Sequence, residues 1–349
     1  MIKLHTAEYL LSTVTIFLAL LCCCRSAEAG APEDAFEKGS TPAASTQLDK
    51  SGYIDGSVYD NEPAEVEIVK IGLRYGDKAS SFVEFYNSAD AGFQIGRYDG
   101  DRVFHASLAT DARWLGVYRI GDKIAVSGWD FYQEFDAKEG VALIPLGGGT
   151  TVFREDYYRG GMRCTAWEED KLIVTNYVPL EDYVKGVIPY EMSSNWPYEA
   201  LRAQAVCART YVVYNQNKYE EYDFDLTGDT ESQVYRGVTY ATELTDRAVD
   251  STSGQYVRYR GQICEIYYFA SDGGCTEDGK NVFETEKPYL AGKTDPFEDA
   301  VDYTGRSWTI YRDGEDMGRR LRANEEQIGI VTDLRPVYSE YGNVIAVTY

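Results

Sequence analysis

From Val66 to Thr175 the chain runs in short apolar alternations broken by Gly and Asp, and after Pro179 that two-residue rhythm gives way to one near 3.6. A segment whose side chains alternate faces cannot also present one helical stripe, so this change commits the chain to both strands and helices. The predicted strands begin with Val66, Ile68, Ile71 and Leu73 and continue at Phe82–Tyr86, Phe93–Gly96, Arg102–His105, Ala112–Tyr118 and Lys123–Val126. Gly147-Gly148-Gly149 marks a loop, and Tyr158–Trp167 with Lys171–Thr175 reads as another strand pair. The expected class is α+β, a β-rich N-terminal half followed by a mixed domain with a long helix after Glu191.

The helical part is the most informative. Pro179–Lys185 reads as a short helix with an acidic first turn. An apolar run, Gly186–Tyr190, then ends on Glu191, and Trp196-Pro197 opens a second helix, where Pro gives up no needed N–H. Leu201, Ala205, Ala208 and Val212 share one face of it. Glu191 is thereby a lone acid at a junction among aromatic and aliphatic neighbours. Desolvation disfavours the charged form of such a carboxyl, and a protonated carboxyl is what glycosidic bond cleavage needs. Glu191 is five residues ahead of Trp196, long for a helix-capping contact. Strand-like runs return at Gln233–Tyr235, Gln255–Tyr259 and Ile266–Phe269.

Charge narrows the partners. A formal net charge of −23 argues against nucleic acid and anionic membranes, both of which need clustered Lys and Arg. The 30 Tyr residues suit strands and also offer stacking faces for sugars. At the N-terminus, Lys3 and His5 precede an apolar run from Tyr9 to Cys24, and Ala27-Glu28-Ala29 offers small residues for cleavage. Residues 1–29 therefore read as a signal peptide, with a membrane anchor as the alternative, and the protein is expected to be exported to the cell wall or the outer face of the membrane. Residues 30–65, rich in small and acidic residues, read as a disordered linker. A β-rich region over 66–155 and a catalytic domain over 156–349 complete the expected organisation. Four cysteines remain after the signal: Cys207 is expected as a buried thiol, and Cys264 and Cys275 are candidates for a hairpin pair.

Several motifs in order carry a resemblance. Gly186-Val-Ile-Pro-Tyr-Glu-Met192, Trp196-Pro197, Glu199–Val206, Ala208-Arg-Thr-Tyr211, Ser232-Gln-Val-Tyr-Arg-Gly237, Tyr268–Glu277, Pro288-Tyr-Leu290 and Asp295 resemble the stage II sporulation protein D (SpoIID/LytB) family. The similarity covers roughly residues 66–349 and is densest from Pro179 to Asp295. It implies a lytic transglycosylase acting on peptidoglycan glycan strands, with the Glu of the Glu-Met pair, Glu191, as catalytic acid. Arg209 matches the family's functional Arg and is expected to orient Glu191 or hold substrate oxygens with its planar fork. Gln204, Gln233 and Tyr235 are the expected substrate-binding side chains. Ser271-Asp272-Gly273-Gly274 reads as a tight loop needing positive φ, with Ser271, Gly273 and Gly274 as backbone-lined contacts.

The chain departs from the family at one point. Some members carry a zinc site of Cys and His just before Gln-Val-Tyr, whereas this chain reads Asp225-Leu-Thr-Gly-Asp-Thr-Glu-Ser232 and holds two His in all. No metal and no cofactor are expected. His105, in a strand-like run, is read as a packed or surface residue rather than a triad member. The expected partners are glycan strands, with a cell-wall amidase or other sporulation proteins beside them. The alternative function is a non-catalytic amidase enhancer, a wall-binding modifier of an autolysin.

Overall fold

A computed structural model describes residues 2–5, 66–283, 286–298, 309–323 and 329–349, the first of these as backbone only. Apart from that four-residue strand, the predicted signal peptide and the linker fall outside the described residues. The architecture is α+β with a β-rich N-terminal region, as expected. Among the described residues, no helix is long and apolar enough to cross a membrane. By their contacts the described residues fall into two compact units, one from 66 to 267 and the other from 268 to 349 together with β1 (Ile2–His5).

In the first unit the strands are β2 (Ile68–Arg74), β3 (Phe82–Asn87), β4 (Phe93–Tyr98), β5 (Phe104–Thr110), β6 (Trp114–Ile120), β7 (Lys123–Gly128) and β8 (Phe131–Asp136). They continue with β9 (Val141–Pro145), β10 (Thr151–Phe153), β11 (Asp156–Tyr158), β12 (Gly161–Trp167), β13 (Lys171–Pro179) and the two-residue β14 (Leu226–Thr227). A six-stranded sheet has the order β11-β10-β3-β6-β7-β8, and a seven-stranded sheet the order β14-β2-β13-β12-β9-β4-β5. Every neighbour pair is antiparallel except β14 with β2. The two sheets share one core. Val83, Phe85, Leu115, Val117, Ile124 and Val126 come from the first, and Val69, Ile71, Phe93, Ile95, Leu143, Met162, Val174 and Val178 from the second. The alternation read from the sequence is this division between a core face and an outer face.

Three helices complete the unit: α1 (Leu180–Glu191), α2 (Tyr198–Tyr214) and α3 (Glu243–Asp250). Leu201, Ala205, Ala208 and Val212 are fully buried, so the predicted stripe of α2 is the one it packs. Its two alanines let another backbone come close. The short helix expected over 179–185 instead runs on to Glu191 with Pro189 inside it. Pro189 has no N–H to bond back, but the helix continues, and the Met192 N–H closes onto the Ile188 carbonyl at 2.9 Å. The strands expected at Gln233–Tyr235 and Ile266–Phe269 do not form. The Tyr235 N–H bonds the Gly228 carbonyl at 3.2 Å within a local loop, so burial of alternate residues there comes from side-chain anchoring. Near the run expected at Gln255–Tyr259 only a small hairpin forms, β15 (Arg258–Tyr259) with β16 (Gln262–Ile263). Helix α3 was not expected, although Thr242 and Thr245 cap it reciprocally.

In the second unit, β1 pairs antiparallel with β17 (Thr309–Arg312), and β18 (Arg335–Tyr338) with β19 (Val344–Thr348). Two helices, α4 (Gly279–Phe283) and α5 (Gly314–Arg322), complete it, and the Asp313 side chain caps α5 through the Asp316 N–H at 2.7 Å.

Candidate active site

Helix α1 grows directly out of β13, and the end of β13 is tied down by one amide. Asn176, fully buried, donates through Nδ2 to the carbonyls of Arg159 and Gly161 at 3.0 Å each and accepts the Tyr235 hydroxyl at 2.8 Å. The Tyr235 ring crosses α1 at Gly186. A Cβ on Gly186 would lie 2.5 Å from both the Tyr235 ring and the Gly237 carbonyl oxygen, so only glycine admits this approach. Tyr183, on the same helix, donates its hydroxyl to Gln233 Oε1 at 3.2 Å. These contacts fix the helix whose last residue is Glu191, half-buried at its C-terminal end.

Arg209 is not at that end. Its guanidinium is fully buried and grips Glu181 through two bonds, Nε to Oε1 at 2.8 Å and Nη2 to Oε2 at 2.7 Å. Its remaining donors meet the carbonyls of Ala205, Gln255 and Val249 at 3.3, 3.4 and 3.2 Å. Glu181 lies ten residues before Glu191, about 15 Å along the helix axis. The expected orienting contact with Glu191 is therefore absent, and a side chain with no solvent exposure cannot hold substrate oxygens. Arg209 instead joins α1, α2 and the last turn of α3.

Tyr235 and Gln233 are likewise inside, at 1% exposure each, and Tyr235 also packs its ring on Tyr158 and Tyr183. Neither can contact a ligand in this arrangement, so the expected substrate contacts become supports for α1. Gln204, 5% exposed on α2, has no hydrogen-bond partner for its Nε2. Of the residues expected in this unit, Glu191 alone keeps partial access to solvent.

The surroundings of Glu191 bring in residues that the sequence reading missed. Burial raises the Tyr211 phenol pKa, and the nearby Tyr219, Glu191 and Glu265 raise it further, while the Ser232 hydroxyl works the other way. Two carboxylates, one from the end of α1 and one from the segment after β16, thus act on one hydroxyl of α2. Tyr190, next to Glu191, stacks edge-on against Tyr240 at 5.5 Å, and its buried hydroxyl has no hydrogen-bond partner. Three residues beyond Glu191, Ser194 and Asn195 open a shallow recess of about 410 Å³, closed on the other side by Thr242, Glu243, Leu244 and Arg247. Its lining of two hydroxyls, an amide, a carboxylate and a guanidinium, with Leu244 as the one apolar side chain, suits a polar ligand better than an apolar one. Glu191 borders the recess in sequence and is not part of its lining. Glu265 and Arg247 carried no local pattern that would mark them, whereas Tyr211 closes the Ala208-Arg-Thr-Tyr211 motif without being singled out there.

The predicted loop at 271–274 lies in the second unit. Gly273 and Gly274 have φ of +71° and +102°, as the tight-loop reading required. The Ser271 hydroxyl bonds Glu298, and the Gly274 N–H bonds Asp272 Oδ1 at 2.7 Å. Asp272, Asp295 and Glu298 bring carboxylate oxygens within 4.8 Å of one another, the one such acidic group among the described residues. Those carboxylates already accept hydrogen bonds from the protein, including the Phe297 N–H on Asp295 at 2.8 Å. The cysteines Cys164, Cys207, Cys264 and Cys275 are thiols, and burial raises the pKa of Cys207.

The fold and this site define a class: an α+β protein with a half-buried acid closing a short helix beneath two packed sheets. Residues 168–259 match the family model described as stage II sporulation protein. The matched segment contains Glu191, Gln204, Arg209, Gln233 and Tyr235, and ends before Ser271. An uncharacterized protein of Brachyspira hyodysenteriae is 41% identical over 159 residues, 44% of this chain and 42% of that protein. A Bacillus subtilis protein named amidase enhancer is 37% identical over 121 residues, 35% of this chain and 16% of its own length. The Bacillus subtilis stage II sporulation protein D is 35% identical over 137 residues, 35% of this chain and 40% of that protein. These matches span about half of the relatives' lengths at most, with 51% for the stage II sporulation protein D of Bacillus amyloliquefaciens.

Proposed function

We propose that this chain is an exported lytic transglycosylase that cuts peptidoglycan glycan strands, in wall remodelling or sporulation. The observation that supports the reading is the place of Glu191, the half-buried last residue of a helix locked by Tyr183 and Tyr235 onto a strand end held by Asn176. The C-terminal end of a helix carries unpaired carbonyls whose field disfavours a further negative charge, a setting suited to a general acid. Most glycosidases pair two carboxylates, but a sugar that supplies its own nucleophile needs one. Glu191 donates its proton to the glycosidic oxygen as the C1–O bond breaks. The C6 hydroxyl of the same sugar then attacks C1 and returns a proton to the Glu191 carboxylate. A 1,6-anhydro-muramyl end forms, no water is consumed, and the acid is restored.

A second reading, a non-catalytic amidase enhancer, is favoured by two observations. The chain resembles the protein of that name, and Arg209, which the family resemblance assigns to Glu191, is bound to Glu181 instead. Incubating purified protein with glycan strands stripped of stem peptides separates the two. Anhydro-muramyl ends in the mass spectrum, missing with Glu191→Gln, support the enzyme. Absence of product from both proteins, together with faster turnover by an added cell-wall amidase, supports the modifier.

A further inference from the structure

One face of the six-stranded sheet is built the wrong way round for a solvated surface. An antiparallel sheet with its inner face in a core ordinarily turns polar residues outward. Strand β3 alternates strictly, burying Val83 and Phe85 and exposing Phe82, Glu84 and Tyr86. The cross-strand register sets Phe82 beside Tyr118 and Tyr86 beside Trp114, and Ser127 of β7 beside Tyr132 of β8. On the other side, Val152 stands between Tyr86 and Tyr157. Aromatic side chains from β11, β3, β6 and β8 therefore share the outer face, with Val152 of β10 and Ser127 of β7 between them. Phe82, Tyr86, Tyr132 and Tyr157 are 46, 45, 54 and 44% exposed.

The rings are held rather than loose. Trp114 Nε1 donates to Glu84 Oε2 at 3.2 Å, and the Tyr132 hydroxyl donates to Glu134 Oε1 at 2.6 Å, which pushes the Tyr132 pKa up to about 12. Gly116 lies between them in β6. A Cβ there would come within 2.9 Å of the Phe82 ring and 3.3 Å of Trp114, so both rings lean over the bare backbone. Ring pairs sit 6.4 Å apart for Phe82 and Tyr118 and 6.5 Å apart for Tyr86 and Trp114.

The geometry points to this face as a second binding surface, apart from Glu191, for a neutral glycan chain. Exposed aromatic faces stack on the C–H faces of sugar rings, and the interleaved carboxylates of Glu84 and Glu134 accept sugar hydroxyls. Charge excludes the other occupants. Nucleic acid or acidic lipid would meet carboxylates on a chain of net charge −23. A second copy laid face to face would bring together two chains of net charge −23 with Glu84 and Glu134 in the seam. The inference extends the glycan reading of the Glu191 site, and the rings are tested in a way that does not depend on catalysis.

The test uses the full chain with Glu191→Gln, so that no cleavage intervenes. Binding to an N-acetylglucosamine hexamer is followed by calorimetry, and binding to insoluble chitin, a polymer of the same neutral sugar, by co-sedimentation. Trp114→Ala and Tyr132→Ser should each weaken both at least about tenfold, the loss typical of a central aromatic anchor. Circular dichroism and thermal melts check that the variants fold. Tyr132, at the sheet's edge strand, is the safer substitution and keeps the proposal testable if Trp114→Ala unfolds. Unchanged binding by a folded Tyr132→Ser protein overturns the proposal. So does failure of the parent to bind either glycan, or concentration-dependent dimerisation that the same substitutions abolish. Formation of anhydro ends is scored separately on soluble strands with Glu191 intact, so failure of the platform and failure of the transglycosylase reading give different results.

Discussion

Among single residues, the one that moved furthest from expectation is Arg209. A guanidinium with no exposure must be paired, and Glu181 with three carbonyls pairs it completely. Removing the acid strands a buried charge. Glu181→Ala should therefore cost about 3–5 kcal/mol in urea unfolding. Activity lost in that variant should return under conditions where it is folded, which a catalytic role for the pair would not allow. Asp246 gives a prediction about pH. Its buried Oδ1 has no hydrogen-bond partner, and burial raises its pKa, with Asp250 and Asp182 adding to the rise and Lys185 and Arg159 opposing it. A carboxyl whose folded pKa is raised stabilises the fold below the unfolded Asp value, near 3.9, and loses that contribution as pH rises through its folded value. Asp246→Asn should therefore raise the melting temperature at pH 7. The gain should shrink as the pH falls toward 4, and melts across that range would show a flat difference if the idea is wrong.

At the level of elements, α1 decides where Glu191 goes. Its register depends on Gly186, because the Tyr235 ring and the Gly237 carbonyl occupy the space a methyl group would need. Gly186→Ala should destabilise the protein by about 1–3 kcal/mol, the range for overpacking. Because the strain falls one turn from Glu191, the same variant should lose turnover beyond what its stability loss explains, which calorimetry and a product assay below the melting point would separate. The elements that were predicted and the one that was missed differ for a clear reason. The stripe of α2 and the alternation of β3 are local repeats, visible in a window of a dozen residues. Helix α3 is eight residues long, charged on most of its surface, and capped by threonine at a position where Glu or Gln is the usual sign.

For the molecule as a whole, the family match and the folded unit do not coincide. Residues 168–259 contain β13 and the helices, whereas both neighbours of β13, strands β2 and β12, lie outside the match. An excised 168–259 fragment exposes both edges of its longest strand and should fail to fold. A dispersed amide NMR spectrum or a cooperative melt from that fragment would refute this. A fragment over 66–267 keeps both sheets and their common core, and should melt cooperatively.

Local features were legible in residue order alone: the positive φ of Gly273 and Gly274 follows from turn chemistry. The supporting partners were not, because Arg209 meets Glu181 across 28 residues and Tyr235 meets Asn176 across 59. The chain by itself determined its periodicities, its helix stripe and the motifs that match the family model over residues 168–259. Only the tertiary structure decided which polar groups are sealed inside and which aromatic rings face water. The reason is that burial of a side chain depends on what distant strands place opposite it, and no local pattern carries that information.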